Sequence, residues 1–191
     1  MSIIARFVHD DRAGVQEKPG IIRKIIAWII AELILFDEDD PTGFSHVEAV
    51  TPDGKYLGAH TTGVEARPMD YDIGFKRERF YLLQADDETS AKFYHYLNAV
   101  AEKHEGYDLQ AIFGFITHFD MNKIHTTICS GLFVLALRWP LWLPIPLGVP
   151  AHRISVRDLE LMLRARAAGD VREIEKTDPV FIAHIGGAKT P

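Results

Sequence analysis

The stretch His125-Thr126-Thr127-Ile128-Cys129-Ser130-Gly131-Leu132-Phe133-Val134-Leu135-Ala136-Leu137 constrains the fold more than any other part of the chain. Two threonines able to cap a helix precede an almost unbroken apolar run. A helix that is apolar nearly all round has to be buried on most of its faces, so the rest of the chain must pack around it. The same run carries the only cysteine, Cys129, in what would be its first turn. There the helix dipole and the unpaired N–H groups favour thiolate and lower the pKa from its free value of about 8.5. Those N–H groups can also hold an oxyanion. The alternative is an inert structural thiol, since free cysteines are among the most buried residues. A nucleophile would need a base, delivered from elsewhere in the chain.

The 191 residues, 47% hydrophobic and 25% charged, suit a single globular domain over residues 1–191 with a real core. A net charge of -6 argues against a nucleic-acid partner. One cysteine excludes an internal disulfide and the metal motifs built on several cysteines. His46-Val47-Glu48 has the H-x-E spacing of zinc deaminases, but their P-C-x-x-C partner is missing, so no metal and no cofactor is expected. The N-terminal residues lack the pattern of a signal peptide, which makes the cytoplasm the default expectation, with cell-envelope association as the alternative. Residues 21–36 are the most apolar segment, but they contain Arg23, Lys24 and Glu32 and fall short of a span. A buried helix is expected there, with an in-plane membrane helix as the sharper alternative.

In chain order, residues 2–8 read as a strand, 10–20 as a loop and 21–36 as a helix. The acidic residues 37–43 read as a solvated loop. Residues 44–51 alternate and meet the turn Pro52-Asp53-Gly54-Lys55, and 56–60 return. Residues 64–67 and 79–85 follow as further strands of an antiparallel meander. Residues 91–104 have helical spacing behind a capping segment, and 107–119 suggest a second helix before the cysteine helix. Three prolines forbid regular structure in 141–150. Ser155, with Asp158 at the capping-box position, opens a helix to about residue 166. Residues 171–175 and 180–185 read as late strands. The fold class is α+β, with helices packed on one side of an antiparallel sheet.

Of the nine histidines, His46 and His60 stand apart. They lie on the paired strands of one hairpin, nearly symmetric about its turn, and so face one another. One can fix the tautomer of the other, as a triad requires. The plainer alternative is a polar pair at a strand end. His125, four residues before Cys129, is a candidate supporting group.

The segments Phe44-Ser45-His46-Val47-Glu48, Gly54-Lys55-Tyr56-Leu57-Gly58-Ala59-His60 and Gly63-Val64-Glu65-Ala66-Arg67-Pro68 precede Tyr107-Asp108 and Ile128-Cys129-Ser130. In this order they resemble the circularly permuted branch of the NlpC-type, papain-like cysteine peptidases, the YiiX-like group. The resemblance covers about residues 1–163, ending in Ile154-Ser155-Val156-Arg157-Asp158-Leu159-Glu160-Leu161 and leaving 164–191 as a C-terminal extension. It implies a permuted papain-like fold, Cys129 as nucleophile, His46 as general base and His60 as the third, polar member. Where the group often has a glutamate on the return strand, this chain has Gly58-Ala59-His60, and Glu48, on the same sheet face as His46, is the fallback orienting residue.

The implied activity is hydrolysis of an amide bond in a peptide or peptidoglycan fragment through a thioester. Thr127 or Ser130 would supply an oxyanion donor. Arg6, Arg23 and Arg67 are candidates for a substrate carboxylate. Two other readings compete: a lipid acyl hydrolase or acyltransferase at a membrane surface, using the apolar segments 21–36 and 141–150, and an inactive binding module of the same fold.

Overall fold

Strand β1 (Ile3–His9) alternates Ile3, Ala5 and Phe7 on one face with Ile4, Arg6 and Val8 on the other, and all six are buried. A strand covered on both faces belongs in the middle of a sheet. In the computed structural model β1 pairs antiparallel with β2 (His46–Val50) on one side and β5 (Arg77–Leu83) on the other. Beyond β2 lie β3 (Lys55–His60) and β4 (Gly63–Pro68), and β8 (Val171–Ile174) lies beyond β5. The six-stranded order is β4-β3-β2-β1-β5-β8. A short parallel pair, β6 (Gly106–Tyr107) and β7 (Thr126–Thr127), stands apart. The structure describes residues 2–9, 44, 46–60, 62–71, 77–103, 106–107, 126–127, 129–138, 149–166 and 170–186. The helix expected at 21–36, the acidic loop and nearly all of 107–119 and 141–150 lie outside the described residues.

The β2–β3 turn follows from its sequence. Gly54 has φ +74, a backbone state that costs glycine nothing, and its N–H bonds the Thr51 carbonyl at 3.0 Å. Thr51 closes the loop through Lys55, whose N–H donates to Thr51 Oγ1 at 2.9 Å. The turn sets the register, with Val50 opposite Tyr56 and Ala49 opposite Leu57. The expected meander holds for β2, β3 and β4, whereas β5 pairs with β1 rather than β4.

Helices α1 (Asp87–Glu102), α2 (Cys129–Arg138) and α3 (Val156–Ala165) share the core on the face of Ile3, Ala5 and Phe7. α3 begins with the expected Ser155–Asp158 capping box. The fourth helix, α4 (Pro179–Gly186), corrects two expectations. It occupies residues expected to form a strand, and it covers the opposite face, with Phe181 packed among Ile4, Val50, Tyr56, Phe80, Leu82 and Ile174. Asp178 starts it by accepting the Val180 N–H at 2.8 Å, and Pro179 occupies the first position, where a missing N–H costs nothing. Phe181 and His184, three apart, are its buried residues. Among the described residues no helix is long and apolar enough to cross a membrane.

His184 secures α4. Its Nε2 lies 2.8 Å from the Val50 carbonyl oxygen, which also accepts the Tyr94 hydroxyl of α1 at 2.8 Å. Burial lowers the His184 pKa more than the Val50 carbonyl raises it. The unfolded chain therefore binds the proton first, and stability is lost as pH falls below about 6.5, the ordinary histidine value. The wild type should lose more stability between pH 7 and pH 5 than His184→Gln, measured by urea denaturation at each pH. Equal losses would show that His184 carries no such linkage.

Candidate active site

Cys129 is the first residue of α2, and eight of the ten residues of that helix are buried. Phe133 meets Phe93 of α1 edge to face at 5.2 Å, and the helix also packs on β2, β3 and the turn Ala151–Arg153. Burying each large apolar side chain contributes about 1.5–3 kcal/mol, so the helix is held by packing rather than by propensity. The β6–β7 pair sets the chain path just before the cysteine. The sulfur stands beside the His46 ring and close to the backbone N–H groups of Val47 and Ser130. Helix and strand thus meet at the first residue of β2.

His46, Glu48 and His60 lie on one face of the hairpin. The rings of His46 and His60 are 5.1 Å apart, and one carboxylate oxygen of Glu48 approaches both. Glu48 Oε1 is 3.3 Å from Nε2 of His46 and 3.3 Å from Nε2 of His60. Tyr71 donates its hydroxyl to the same oxygen at 2.6 Å. Arg6, directly across from Glu48 on β1, donates to Oε2 at 2.9 Å. Arg6 is itself held by Glu78 at 2.8 Å and lies 3.9 Å above the Tyr56 ring.

The charges follow from this arrangement. Burial alone would raise the Cys129 thiol, but the His46 charge, the hydrogen bond to His46 and the two N–H groups bring it below its ordinary value. Burial alone would lower His46, but Cys129 and Glu48 beside it hold it well above the usual histidine range. For Glu48, burial opposes ionisation, yet the close approach and charge of His46, with the charges of His60 and Arg6, bring it down to about 2. Burial and the His46 charge push His60 down to about 3. The arrangement favours a thiolate–imidazolium pair of Cys129 and His46, beside the Glu48 carboxylate and a neutral His60 imidazole.

Gly58 makes room for the buried acid on the neighbouring strand. A Cβ at Gly58 would lie 3.0 Å from Glu48 Cγ and 3.4 Å from the Val47 carbonyl oxygen. The acid sits on β2, and the glycine opposite leaves room for it. Gly58→Ala should therefore displace Glu48 and destabilise the fold by about 1–3 kcal/mol, the usual cost of overpacking, read as a lower urea midpoint. An unchanged midpoint would mean that the carboxylate moves aside freely.

The structure brings together Cys129, His46, Glu48, His60 and Ser130. Thr127 lies in β7, two residues before the thiol. His125 and Arg23 lie outside the described residues. Arg6, expected to meet a substrate, is 1% exposed and engaged by Glu48 and Glu78. Arg67 pairs with Glu65 on its own strand and with Thr62. Sequence reasoning missed the frame around Glu48. An arginine inside an otherwise apolar central strand was the available signal for Arg6, whereas nothing local marked Tyr71, which follows the turn after β4. Compared against protein families, curated proteins and solved structures, the chain matches none of them.

Proposed function

We propose that this chain is a cysteine hydrolase of the permuted papain-like kind that cleaves an amide bond through a thioester. The reading rests on one observation: the sulfur at the first residue of α2 stands against His46, whose Nε2 faces the buried carboxylate of Glu48 at 3.3 Å. Nε2 being turned to Glu48, Nδ1 is the nitrogen left for the sulfur. The thiolate attacks the acyl carbon, and N–H groups at the start of α2, that of Cys129 among them, stabilise the oxyanion. His46 gives its proton to the departing amine as the C–N bond breaks. It then takes a proton from water, whose oxygen attacks the thioester, releasing the acid and regenerating the thiolate.

Glu48 takes the orienting place that the sequence reading assigned to His60, and His60 steadies Glu48 from its other side. The order of histidine strand before cysteine helix supports the permuted arrangement, and the resemblance supports an amide rather than another acyl group. An inactive module is disfavoured physically, because burying these charges costs several kcal/mol per ion and an inert fold has no use for them. The test is alkylation of Cys129 by iodoacetamide at neutral pH, located by peptide mass spectrometry. Labelling faster than that of free cysteine and lost in His46→Ala supports the hydrolase. Labelling no faster than free cysteine rejects it.

A further inference from the structure

We propose that His46, Glu48 and His60 also form a binding site for a single divalent transition-metal ion of the zinc class. One ring nitrogen of each histidine and one carboxylate oxygen of Glu48 lie within 4.8 Å of one another. Both Nε2 atoms are buried, and neither completes a hydrogen bond, although Glu48 Oε1 is only 3.3 Å from each. Each Nε2 therefore faces the carboxylate but lies off the line of a hydrogen bond. His60 is 8% exposed, so water in bulk does not satisfy its nitrogen. A buried ring nitrogen left without a partner is costly, and two converging on one oxygen define a small polar space.

Two of the three ligand separations match those around an ion, and the third, between the histidine nitrogens, lies within 4.8 Å and closes as the rings turn onto it. Tetrahedral zinc binds imidazole nitrogen and carboxylate oxygen at roughly 2.0–2.1 Å, which sets ligand atoms about 3.3–3.4 Å apart. The separation of Oε1 from each Nε2 is 3.3 Å. Two imidazoles and a carboxylate suit zinc, and the supporting contacts are in place: Tyr71 bonds the ligating carboxylate oxygen, and Arg6 holds the other. Arg6 also opposes a second cation, so the site is weaker than a structural zinc site. The sulfur of Cys129 is not a member of this set. An ion on Nε2 of His46 would take the place of the proton there, deny the ring its imidazolium form and so reversibly block the hydrolase. The block rests on the hydrolase reading, and the binding does not.

The full chain, stripped with a chelator, is titrated with Zn2+ alone by calorimetry, and the loaded wild type is examined by zinc-edge X-ray absorption. The expected result is saturable binding of one ion, with a first shell of nitrogen and oxygen, imidazole scattering and no sulfur. Binding should persist in Cys129→Ser and weaken at least about tenfold in His60→Gln. Absence of saturable binding, a sulfur neighbour, or full affinity in a folded His60→Gln would overturn the site. Should that variant not fold, the wild-type absorption spectrum still decides. Cys129→Ser keeps the ion but cannot be alkylated at this position, so the metal site and the nucleophile fail separately.

Discussion

His46→Ala should slow alkylation of Cys129 at pH 7 by about ten- to thirtyfold, with the deficit closing as pH rises toward 10. A free cysteine with a pKa of about 8.5 is only a few per cent thiolate at pH 7. In the wild type the His46 charge beside it, with the N–H groups of Val47 and Ser130, draws the sulfur toward thiolate in spite of burial. Restoring an ordinary thiol removes roughly thirtyfold of the reactive species, and the lower intrinsic nucleophilicity of a low-pKa thiolate trims the difference toward tenfold. Above about pH 8.5 the variant thiol ionises without help, so the two rates converge. Rates are measured with iodoacetamide in the presence of a chelator. Equal rates at pH 7 would remove the ion pair from the site. A deficit that persists at pH 10 would mean that the imidazole acts on access to the sulfur rather than on its charge.

Arg6→Met should destabilise the fold by about 3–5 kcal/mol, the range for removing one partner of a buried ion pair. Glu48 is fully buried, and its carboxylate would remain with one cation fewer. The 2.8 Å contact to Glu78 and the stacking on Tyr56 go as well. Against a total stability of about 5–15 kcal/mol, that loss leaves the chain near unfolding. The check is urea denaturation, where the midpoint should fall with the slope unchanged. Arg6→Met with Glu48→Met should recover much of the loss, because an apolar pair of similar volume leaves no orphaned charge. A double variant no more stable than the single one would show that packing, not charge, decides the effect. The Glu48 pKa, down at about 2, fixes the sign with pH. Its folded value is lower than its unfolded one, so its contribution is present above the unfolded pKa and is lost as pH falls through about 2.

Local chemistry determined much of this protein before any packing is considered. The turn at Pro52-Asp53-Gly54 closes the β2–β3 hairpin, and closure about that turn is enough to bring His46 and His60 to the same face. The capping box at Ser155, the apolar run after Cys129 and the α+β order follow equally from neighbours in the chain. The apolar residues of 180–185 suit a strand and a buried helix segment equally. What settles the matter is the Asp178 cap and the presence of an uncovered second sheet face for Phe181 to fill. Three features belong to the tertiary structure alone. The sulfur meets an imidazole from far earlier in the chain because α2 and β2 pack on one core. Arg6 faces inward because β1 is central, and a cation buried there must find carboxylates across strands. Glu48, rather than His60, stands against His46 because Gly58 leaves the space opposite it empty. Sequence spacing sets which residues share a face, since the strand repeat is two. It does not set which of them touch, since that depends on the volume of the residue across the sheet and on what packs above it.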